Sequence, residues 1–213
     1  MQNSHTKTNG ISMPLAQKEI YTERWFSSDM QFNQIYPSAI QALAGRHWTP
    51  LEVSVKAADF LAAENNARIL DIGSGVGKFC LSAAYRKPDA FYFGVEQRRN
   101  LVSHAEAARK MLHLENVAFI NGNFTQLDFK DYDHFYFYNS FYENLAGTTK
   151  IDDSIDYSGE LFNYYNRYLF TQLGQMPAGT RLATFHSLED EVPSSYHVVG
   201  SEMDNLLKFW IKV

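Results

Sequence analysis

Residues 68–80, RILDIGSGVGKFC, combine a carboxylate with three closely spaced glycines. An apolar run carries Asp71 near its end and leads into Gly73, Gly75 and Gly77. Apolar residues that run into a glycine loop predict a buried parallel strand that turns sharply into a helix. Because glycine adopts positive φ easily, backbone N–H groups in such a loop can approach a ligand closely. The segment therefore predicts a cofactor pocket.

The spacing of the glycines separates the candidate cofactors. A dinucleotide loop has the form G-x-G-x-x-G, whose third glycine lets the helix pack closely behind a pyrophosphate. Here Lys78 stands where that third glycine belongs, and no G-K-[ST] sequence follows as a P-loop requires. A turn that binds nothing is the alternative, and the entropy cost of three glycines argues against it.

A second apolar run, residues 90–96, also ends in a carboxylate, Glu96. In doubly wound folds an acid at the tip of the second strand accepts hydrogen bonds from a ribose diol. A carboxylate suits this task because each of its oxygens can accept from one hydroxyl. Glu96 predicts nucleoside binding without choosing the nucleoside, and a solvated acid at a strand end is the alternative.

Composition limits the possible classes of protein. The chain has 213 residues, 45% of them hydrophobic, with one cysteine and a net charge of −5. A single cysteine excludes an internal disulfide, and the histidine spacing predicts no metal site. The basic residues are scattered; Arg98 and Arg99 form a short pair on an expected helix surface. We therefore expect no duplex DNA partner, no membrane span and a cytoplasmic location.

The order of elements predicts an α/β fold. Residues 1–13 are expected to be a disordered tail, and residues 14–48 an irregular helical extension. The sequence Thr49-Pro50-Leu51-Glu52 predicts a helix start with a threonine cap. Strands and helices then alternate through five strands, which indicates a parallel sheet with right-handed crossovers. Two final strands, at 196–200 and 206–212, have no helix between them and must pair as an antiparallel hairpin.

This arrangement resembles the class I S-adenosylmethionine (SAM) methyltransferases, whose doubly wound, mostly parallel seven-stranded sheet ends in such a hairpin. The resemblance covers about residues 49–213, which would form the methyltransferase domain. It implies that SAM is the cofactor and that Asp71 acts on the amino group of its methionine end. The loop residues that it assigns to the same end are Gly73, Ser74, Gly75 and Gly77.

The resemblance also assigns the nucleoside end of the cofactor. Glu96 would bind the ribose, and Gln97 would border the adenine. Members of the family often have an acid after strand three that accepts from the adenine amine, and Asn123 stands at that position. An asparagine carbonyl can also accept, and Phe124 can cover the face of the ring. An ordinary turn asparagine is the alternative for Asn123.

Strand four ends in the polar run Asn139 to Asn144, at the edge of the sheet where ligands bind. Asn139 is expected to accept a hydrogen bond from the acceptor amine, and Tyr142 and Glu143 to orient the acceptor or take its proton. The run resembles the N-P-P-[YF] motif of amino-group methyltransferases, although both prolines are missing. It also resembles, with the glycine loop, the Dot1-type lysine methyltransferases.

The sequence therefore predicts methyl transfer from SAM to an unidentified acceptor, a nitrogen on a protein side chain or a small molecule. Two alternatives stay open. The first is an NAD(P)-dependent oxidoreductase, which Lys78 and the terminal hairpin argue against. The second is a non-catalytic domain that binds SAM or serves as a scaffold. The sequence is silent on the oligomeric state.

Overall fold

A seven-stranded sheet runs through the computed structural model, which describes residues 23–187 and 189–213. The strand order is β3-β2-β1-β4-β5-β7-β6. Strands β1 to β5 are parallel, and β7 is antiparallel to both β5 and β6. The strands are Arg68–Ile72 (β1), Phe91–Glu96 (β2), Val117–Asn121 (β3), His134–Tyr138 (β4), Arg181–Phe185 (β5), Tyr196–Glu202 (β6) and Leu207–Lys212 (β7).

The helices lie on both faces of this sheet. They are Asp29–Asn33 (α1), Ser38–Gln41 (α2), Ala44–His47 (α3), Leu51–Leu61 (α4), Lys78–Arg86 (α5), Arg99–Leu112 (α6) and Gly159–Gln175 (α7). Alternate strand residues face opposite sides, so Ile69 packs into the cluster that includes α4 and α5. Its neighbour Leu70 packs into the cluster that includes α7. The sheet is thus buried on both faces, as parallel sheets usually are.

The strand order of the sheet reverses between β1 and β4. Strands β2 and β3 lie on one side of β1, whereas β4 and β5 lie on the other. The loops that leave β1 and β4 therefore diverge and open a crevice at the carboxyl ends of these strands. The fold class is the predicted one, and the terminal antiparallel hairpin is confirmed.

The predicted cap of α4 is wrong. The helix begins at Leu51, and neither Thr49 nor Pro50 caps it through a side chain. The Thr49 hydroxyl instead lies 3.1 Å from the Tyr136 hydroxyl in the core. Asp29, which is far from the helix in the sequence, caps it instead. Its Oδ1 accepts a hydrogen bond from the backbone N–H of Leu51 at 3.0 Å.

Residues 23–48 form short helices that pack against the domain. Phe32, Tyr36 and Trp48 are buried in the core cluster. The Tyr36 hydroxyl donates to the carbonyl of Val76 in the glycine loop at 2.9 Å. The predicted tail, residues 1–13, lies outside the described residues, as do residues 14–22 of the predicted helical extension. In the described residues, no helix combines the length and the apolar composition that crossing a membrane requires.

Candidate active site

The glycine loop is held to the neighbouring strand by its own main chain. The N–H groups of Gly73 and Ser74 both donate to the carbonyl of Val95, at 3.0 Å each. The N–H of Gly77 donates to the carbonyl of Ser74 at 2.8 Å and closes the turn into α5. The three glycines have positive φ angles of 78°, 55° and 82°. A side chain at these angles is strained, so the loop needs glycine.

The three glycines differ in what surrounds them. A Cβ atom on Gly73 would lie 2.4 Å from the Cβ of Ser140, and one on Gly77 would lie 2.3 Å from the Phe119 ring. These two positions are small because the protein itself fills the space. A Cβ on Gly75 would meet no atom within 4 Å. Gly75 therefore faces open space, the arrangement expected where a ligand lies against the backbone.

That open space is a cavity of about 330 Å³ at the carboxyl ends of β1 and β4. It lies at the topological switch point, where doubly wound folds bind ligands. Its walls come from the glycine loop, the end of β2, the segment after β4 and residues 46–49. The residues predicted from the sequence that line it are Asp71, Gly73, Ser74, Gly75, Glu96, Asn139, Tyr142 and Glu143.

Asp71 supplies a buried carboxyl group at one end of the cavity. Its side chain is only 4% exposed, and burial raises its pKa to about 8. The Cys80 thiol, which donates to Oδ2 at 3.6 Å, lowers the pKa, and the charge of Glu96 raises it further. An ammonium group brought into the cavity would favour the ionised carboxylate. Cys80 itself is buried in the core.

Glu96 lies at the other side of the glycine loop. Its Oε2 accepts from the N–H of Gly75 at 3.2 Å. Its Oε1 accepts from the N–H of Arg98 at 2.9 Å and from the guanidinium Nη1 at 3.4 Å. An ionised carboxylate offers about four acceptor positions, so Oε2 keeps one for a further donor. Burial raises the pKa of Glu96, whereas the N–H and charge of Arg98 lower it.

Arg98 connects Glu96 to the segment that follows β4. Its Nη2 donates to Oε2 of Glu143 at 2.5 Å and to the Tyr157 hydroxyl at 2.6 Å. Its Nε donates to Oδ1 of Asp152 at 3.2 Å. One buried guanidinium thus contacts three carboxylates, those of Glu96, Glu143 and Asp152. This is the arrangement in which a buried arginine is tolerated.

The expectation that Arg98 and Arg99 form a surface pair is therefore wrong for Arg98. Its side chain is 5% exposed, whereas Arg99 is exposed. Arg98 directly precedes α6 and has extended backbone, so its side chain points away from the helix surface that the sequence pattern suggested. The sequence signal that could have revealed this is its position two residues after the strand-end acid Glu96.

A second, narrower space of about 40 Å³ lies on the nucleoside side of Glu96. Gln97 and Phe124, the two residues predicted to flank adenine, are part of its wall. Ile155 and Tyr157 also line it. Small-molecule sites usually measure roughly 300 Å³ or more, so this space is too small for an adenine ring in the present structure.

Asn123 does not line either space. Its Oδ1 accepts from the N–H and the hydroxyl of Thr125, at 3.0 Å and 2.9 Å. Its Nδ2 donates to Oε1 of Gln97 and to the Tyr165 hydroxyl, at 3.1 Å and 2.9 Å. Asn123 therefore acts as a cap for the short 3₁₀ turn at Phe124–Gln126.

The acceptor side of the cavity has an unusual backbone. Asn139 and His186 directly follow β4 and β5, and both have positive φ, 41° and 59°. Non-glycine residues in this region are uncommon, and they concentrate at functional sites. Both residues line the cavity. Tyr142 stands at its mouth and is 51% exposed.

Two further residues of the cavity wall come from outside the predicted set. His47, at the end of α3, is half-buried, and its pKa is lowered mainly by burial, partly offset by the charge of Glu143. Lys78 is 4% exposed and is paired with Asp29 of α1. His47 reaches the cavity through the packing of residues 23–49 against the glycine loop, whereas Lys78 directly follows that loop.

The residues of the larger cavity fit SAM. Its cationic sulfonium and ammonium groups suit a cavity with carboxylates at Asp71, Glu96 and Glu143. Within the described residues, the buried hydroxyl of Ser74 in the glycine loop has no hydrogen-bond partner. This hydroxyl lies against Gly94 of β2, so it does not by itself indicate a ligand.

Comparison with known proteins agrees with this fit. Residues 63–145 match the family model described as a methyltransferase domain. The fold of the chain is that of the class I SAM-dependent methyltransferases. The match includes the glycine loop, Glu96 and the segment after β4, and it supports SAM as the cofactor and argues against the oxidoreductase alternative. The resemblance to Dot1-type enzymes stays a prediction.

Solved structures share the fold of this methyltransferase domain. An RNA methyltransferase from Salinibacter ruber, solved with S-adenosyl-L-homocysteine, is 19% identical, with a TM-score of 0.53 over 77% of this chain and 92% of that one. A putative methyltransferase from Escherichia coli is 14% identical, with a TM-score of 0.55 over 78% of this chain and 88% of that one.

Curated relatives match the chain over a short stretch. A tRNA (guanine-N(7)-)-methyltransferase from Synechococcus sp. (strain JA-3-3Ab) is 50% identical over 54 residues, which are 25% of this chain and 23% of that protein. A release factor glutamine methyltransferase from Buchnera aphidicola is 33% identical over 66 residues, 31% of this chain and 24% of that protein. The chain thus spans about a quarter of these relatives.

Proposed function

We propose that the domain is an enzyme that transfers a methyl group from SAM to a nitrogen atom of an acceptor. One observation carries the proposal: Gly75 of the cofactor loop and Asn139 at the end of β4 line the same cavity. SAM supplies a methyl group on a positively charged sulfur. A scaffold domain would have no need of a cavity that joins the cofactor loop to a polar strand end.

The cavity can align an acceptor nitrogen with that methyl group. The carbonyl of Asn139 would accept a hydrogen bond from the acceptor's N–H and so direct the nitrogen lone pair inward. Tyr142, exposed at the mouth, would contact the rest of the acceptor. Alignment and the exclusion of water dominate a displacement of this kind.

The proton of an acceptor amine needs a separate base. Glu143 is poorly placed, because its carboxylate already accepts from Arg98 and from the N–H of Ile151 at 2.7 Å. We assign to Glu143 the task of holding the segment after β4. His47 lines the cavity, and burial lowers its pKa, so it is neutral at pH 7 and able to take the proton.

The acceptor itself is a protein side chain or a small molecule in our primary proposal. A nucleobase is the second candidate, because three matched relatives methylate tRNA guanine, according to their names. Tyr142 favours it too, since a half-exposed aromatic ring at a cavity mouth can stack on a base.

Calorimetry with SAM, S-adenosylhomocysteine and NAD(P) tests the cofactor. We expect saturable binding of the first two; saturable NAD(P) binding without SAM binding would contradict the proposal. Radiolabelled methyl transfer to protein, nucleic-acid and small-molecule fractions of a lysate then identifies the acceptor class.

Two variants at one position test the acceptor geometry. Asn139→Gly keeps the left-handed backbone but removes the carbonyl, and it should lower methyl transfer by about a hundredfold with S-adenosylhomocysteine binding intact. Asn139→Asp keeps an acceptor oxygen and tolerates the same backbone, so it serves as the matched control. Equal activity in the glycine variant and the wild type would remove Asn139 from the mechanism.

A further inference from the structure

The positively charged side chains of the large cavity differ in whether an opposite charge faces them. Arg98 contacts three carboxylates, and Lys78 is paired with Asp29. Arg46 also lines the cavity, but within residues 23–187 and 189–213 it forms no ion pair. Its guanidinium donates from Nη1 to a neutral partner, the Thr149 hydroxyl, at 2.9 Å. A guanidinium carries five N–H donors, so Arg46 keeps a positive charge and further donors for a ligand.

Arg46 is held at the cavity from two directions. Its backbone carbonyl accepts from the hydroxyl of Tyr138, the last residue of β4, at 3.4 Å. Its side chain reaches the segment after β4 through Thr149. An exposed arginine without such contacts would lose conformational entropy on binding a ligand. The guanidinium of Arg46, although exposed, is therefore already positioned at the cavity.

Arg46 lies among the residues assigned to the acceptor. It directly precedes His47, the proposed proton acceptor, and its charge contributes to the lowered pKa of His47. Tyr138 directly precedes Asn139, and its ring lies 5.8 Å from the ring of His186. All five residues line the cavity. A group bound by Arg46 would therefore be part of the acceptor.

The guanidinium of Arg46 is suited to an anionic group. Its planar fork can donate two parallel hydrogen bonds to a carboxylate or a phosphate. We propose that Arg46 binds a carboxylate or phosphate group of the acceptor, so that the domain methylates a nitrogen in an anionic molecule. The anion would hold the acceptor at one point while Asn139 aligns its nitrogen. This inference rests on the proposed function.

A cationic acceptor, such as a lysine side chain, has less support. Arg46 would repel a second positive charge, and a protonated amine has no lone pair for the methyl group. Three acids, residues 189–191, follow β5. Glu189 is paired with Lys208, and the other two line a separate groove along α7. These acids therefore do not offset the charge of Arg46 at the cavity.

Anion binding tests the inference directly on the full chain. Protein saturated with S-adenosylhomocysteine is brought to dialysis equilibrium with radiolabelled inorganic phosphate or acetate. We expect the wild type to bind at least one of these anions saturably, and Arg46→Gln to bind it at least about tenfold more weakly. The anion that binds more tightly identifies the group on the acceptor. A wild type that binds neither anion, or an Arg46→Gln variant that binds equally well, would overturn the inference.

Methyl transfer then tests whether the anion belongs to the acceptor. The lysate fraction that accepts the radiolabelled methyl group is used as the acceptor in a dilution series. Arg46→Gln should raise the amount needed for the half-maximal rate by at least about tenfold. Its maximal rate and its affinity for S-adenosylhomocysteine should stay within about twofold of the wild type. A loss of S-adenosylhomocysteine affinity would assign Arg46 to the cofactor and overturn the inference.

Two further variants separate the binding geometry from the net charge. Arg46→Lys keeps the charge but loses the planar fork, so its anion affinity should fall between those of the wild type and Arg46→Gln. Arg99→Gln removes an exposed arginine outside the cavity wall and should bind the anion as the wild type does. An equal loss in Arg99→Gln would overturn the inference.

Failure of the inference and failure of the proposed function give different results. A protein that binds S-adenosylhomocysteine and transfers methyl groups equally well with and without Arg46 would overturn the inference alone. A protein that binds no S-adenosylhomocysteine, or that methylates no fraction of the lysate, would overturn the proposed function as well.

Discussion

The two walls of the large cavity are built by different kinds of interaction. On one side the glycine loop is held by main-chain hydrogen bonds to Val95 and within its own turn. On the other side the segment after β4 is held by side chains, chiefly by Arg98 through Glu143 and Asp152. The first wall depends on backbone angles and the second on charge. Sequence changes, pH and salt should therefore affect them differently.

The largest effect is expected from removing the charge that holds the second wall. Arg98→Gln would leave Glu96 and Glu143 buried without their cation, and breaking such pairs usually costs about 3–5 kcal/mol. Urea unfolding measures the loss. The segment after β4 should also loosen, so trypsin should cut after Lys150 faster than in the wild type.

Arg99→Gln is the matched control for this variant. It removes the same charge from the next residue, whose side chain is exposed. It should change the unfolding free energy by less than about 0.5 kcal/mol. Equal destabilisation by both variants would mean that the charge network does not hold the second wall.

A smaller effect is expected in the glycine loop. Gly73→Ala combines a positive φ with a collision against Ser140, and should cost about 2–4 kcal/mol of unfolding free energy. Gly75→Ala introduces only the backbone strain, which should lower the unfolding free energy by about 1–2 kcal/mol. Its methyl group would also occupy the space that the ligand needs. Urea unfolding measures the loss of stability in each variant, and titration with S-adenosylhomocysteine measures the loss of affinity. If Gly75→Ala leaves the affinity unchanged, the loop does not contact the cofactor there.

Next in size is the pH response of Asp71. Its folded pKa of about 8 lies above the ordinary value of 3.8, so between these values the folded state binds more protons than the unfolded state. Stability therefore falls as pH rises through this window. Asp71→Asn should lack this fall, so its stability relative to the wild type should be higher at pH 8 than at pH 5, while it binds S-adenosylhomocysteine more weakly. Thermal unfolding between pH 5 and pH 8 checks it; parallel curves would contradict it.

The smallest effect concerns the contact between α1 and the glycine loop. Asp29 pairs with the buried Lys78 and caps α4, yet its own side chain is 50% exposed. Asp29→Ala should therefore cost about 1 kcal/mol, and high salt should reduce the difference from the wild type. Asp153→Ala, a change at an exposed acid elsewhere, is the control. If high salt does not reduce the loss of stability, the effect comes from the cap of α4 alone and not from the ion pair with Lys78.

The sequence predicted the sheet well because its signals are local. Apolar runs, with the residues at their ends, predict the strand that carries Asp71, the strand that ends at Glu96 and the terminal hairpin. The predicted strands at 90–96, 196–200 and 206–212 each lie within two residues of the observed ones. The position of the glycine loop at the switch point follows from the same pattern.

Contacts between distant residues could not be predicted in this way. Thr49 fits a helix cap by spacing, but its hydroxyl meets Tyr136, and Asp29 caps the helix instead. Asn123 stands at the expected adenine-binding position, and only the folded chain shows that its oxygen already accepts from Thr125. Arg98 was predicted to be exposed because two of its three carboxylate partners, Glu143 and Asp152, are distant from it in the sequence.

The bond from the Tyr36 hydroxyl to Val76 has a practical consequence for fragments of this chain. The stretch that matches the family model, 63–145, contains the cofactor loop but neither Tyr36 nor the neighbour of β4 in the sheet, β5. Excised alone, it would expose an unpaired strand edge and leave the loop unbraced. A fragment of this protein therefore needs boundaries that keep both Tyr36 and the hairpin.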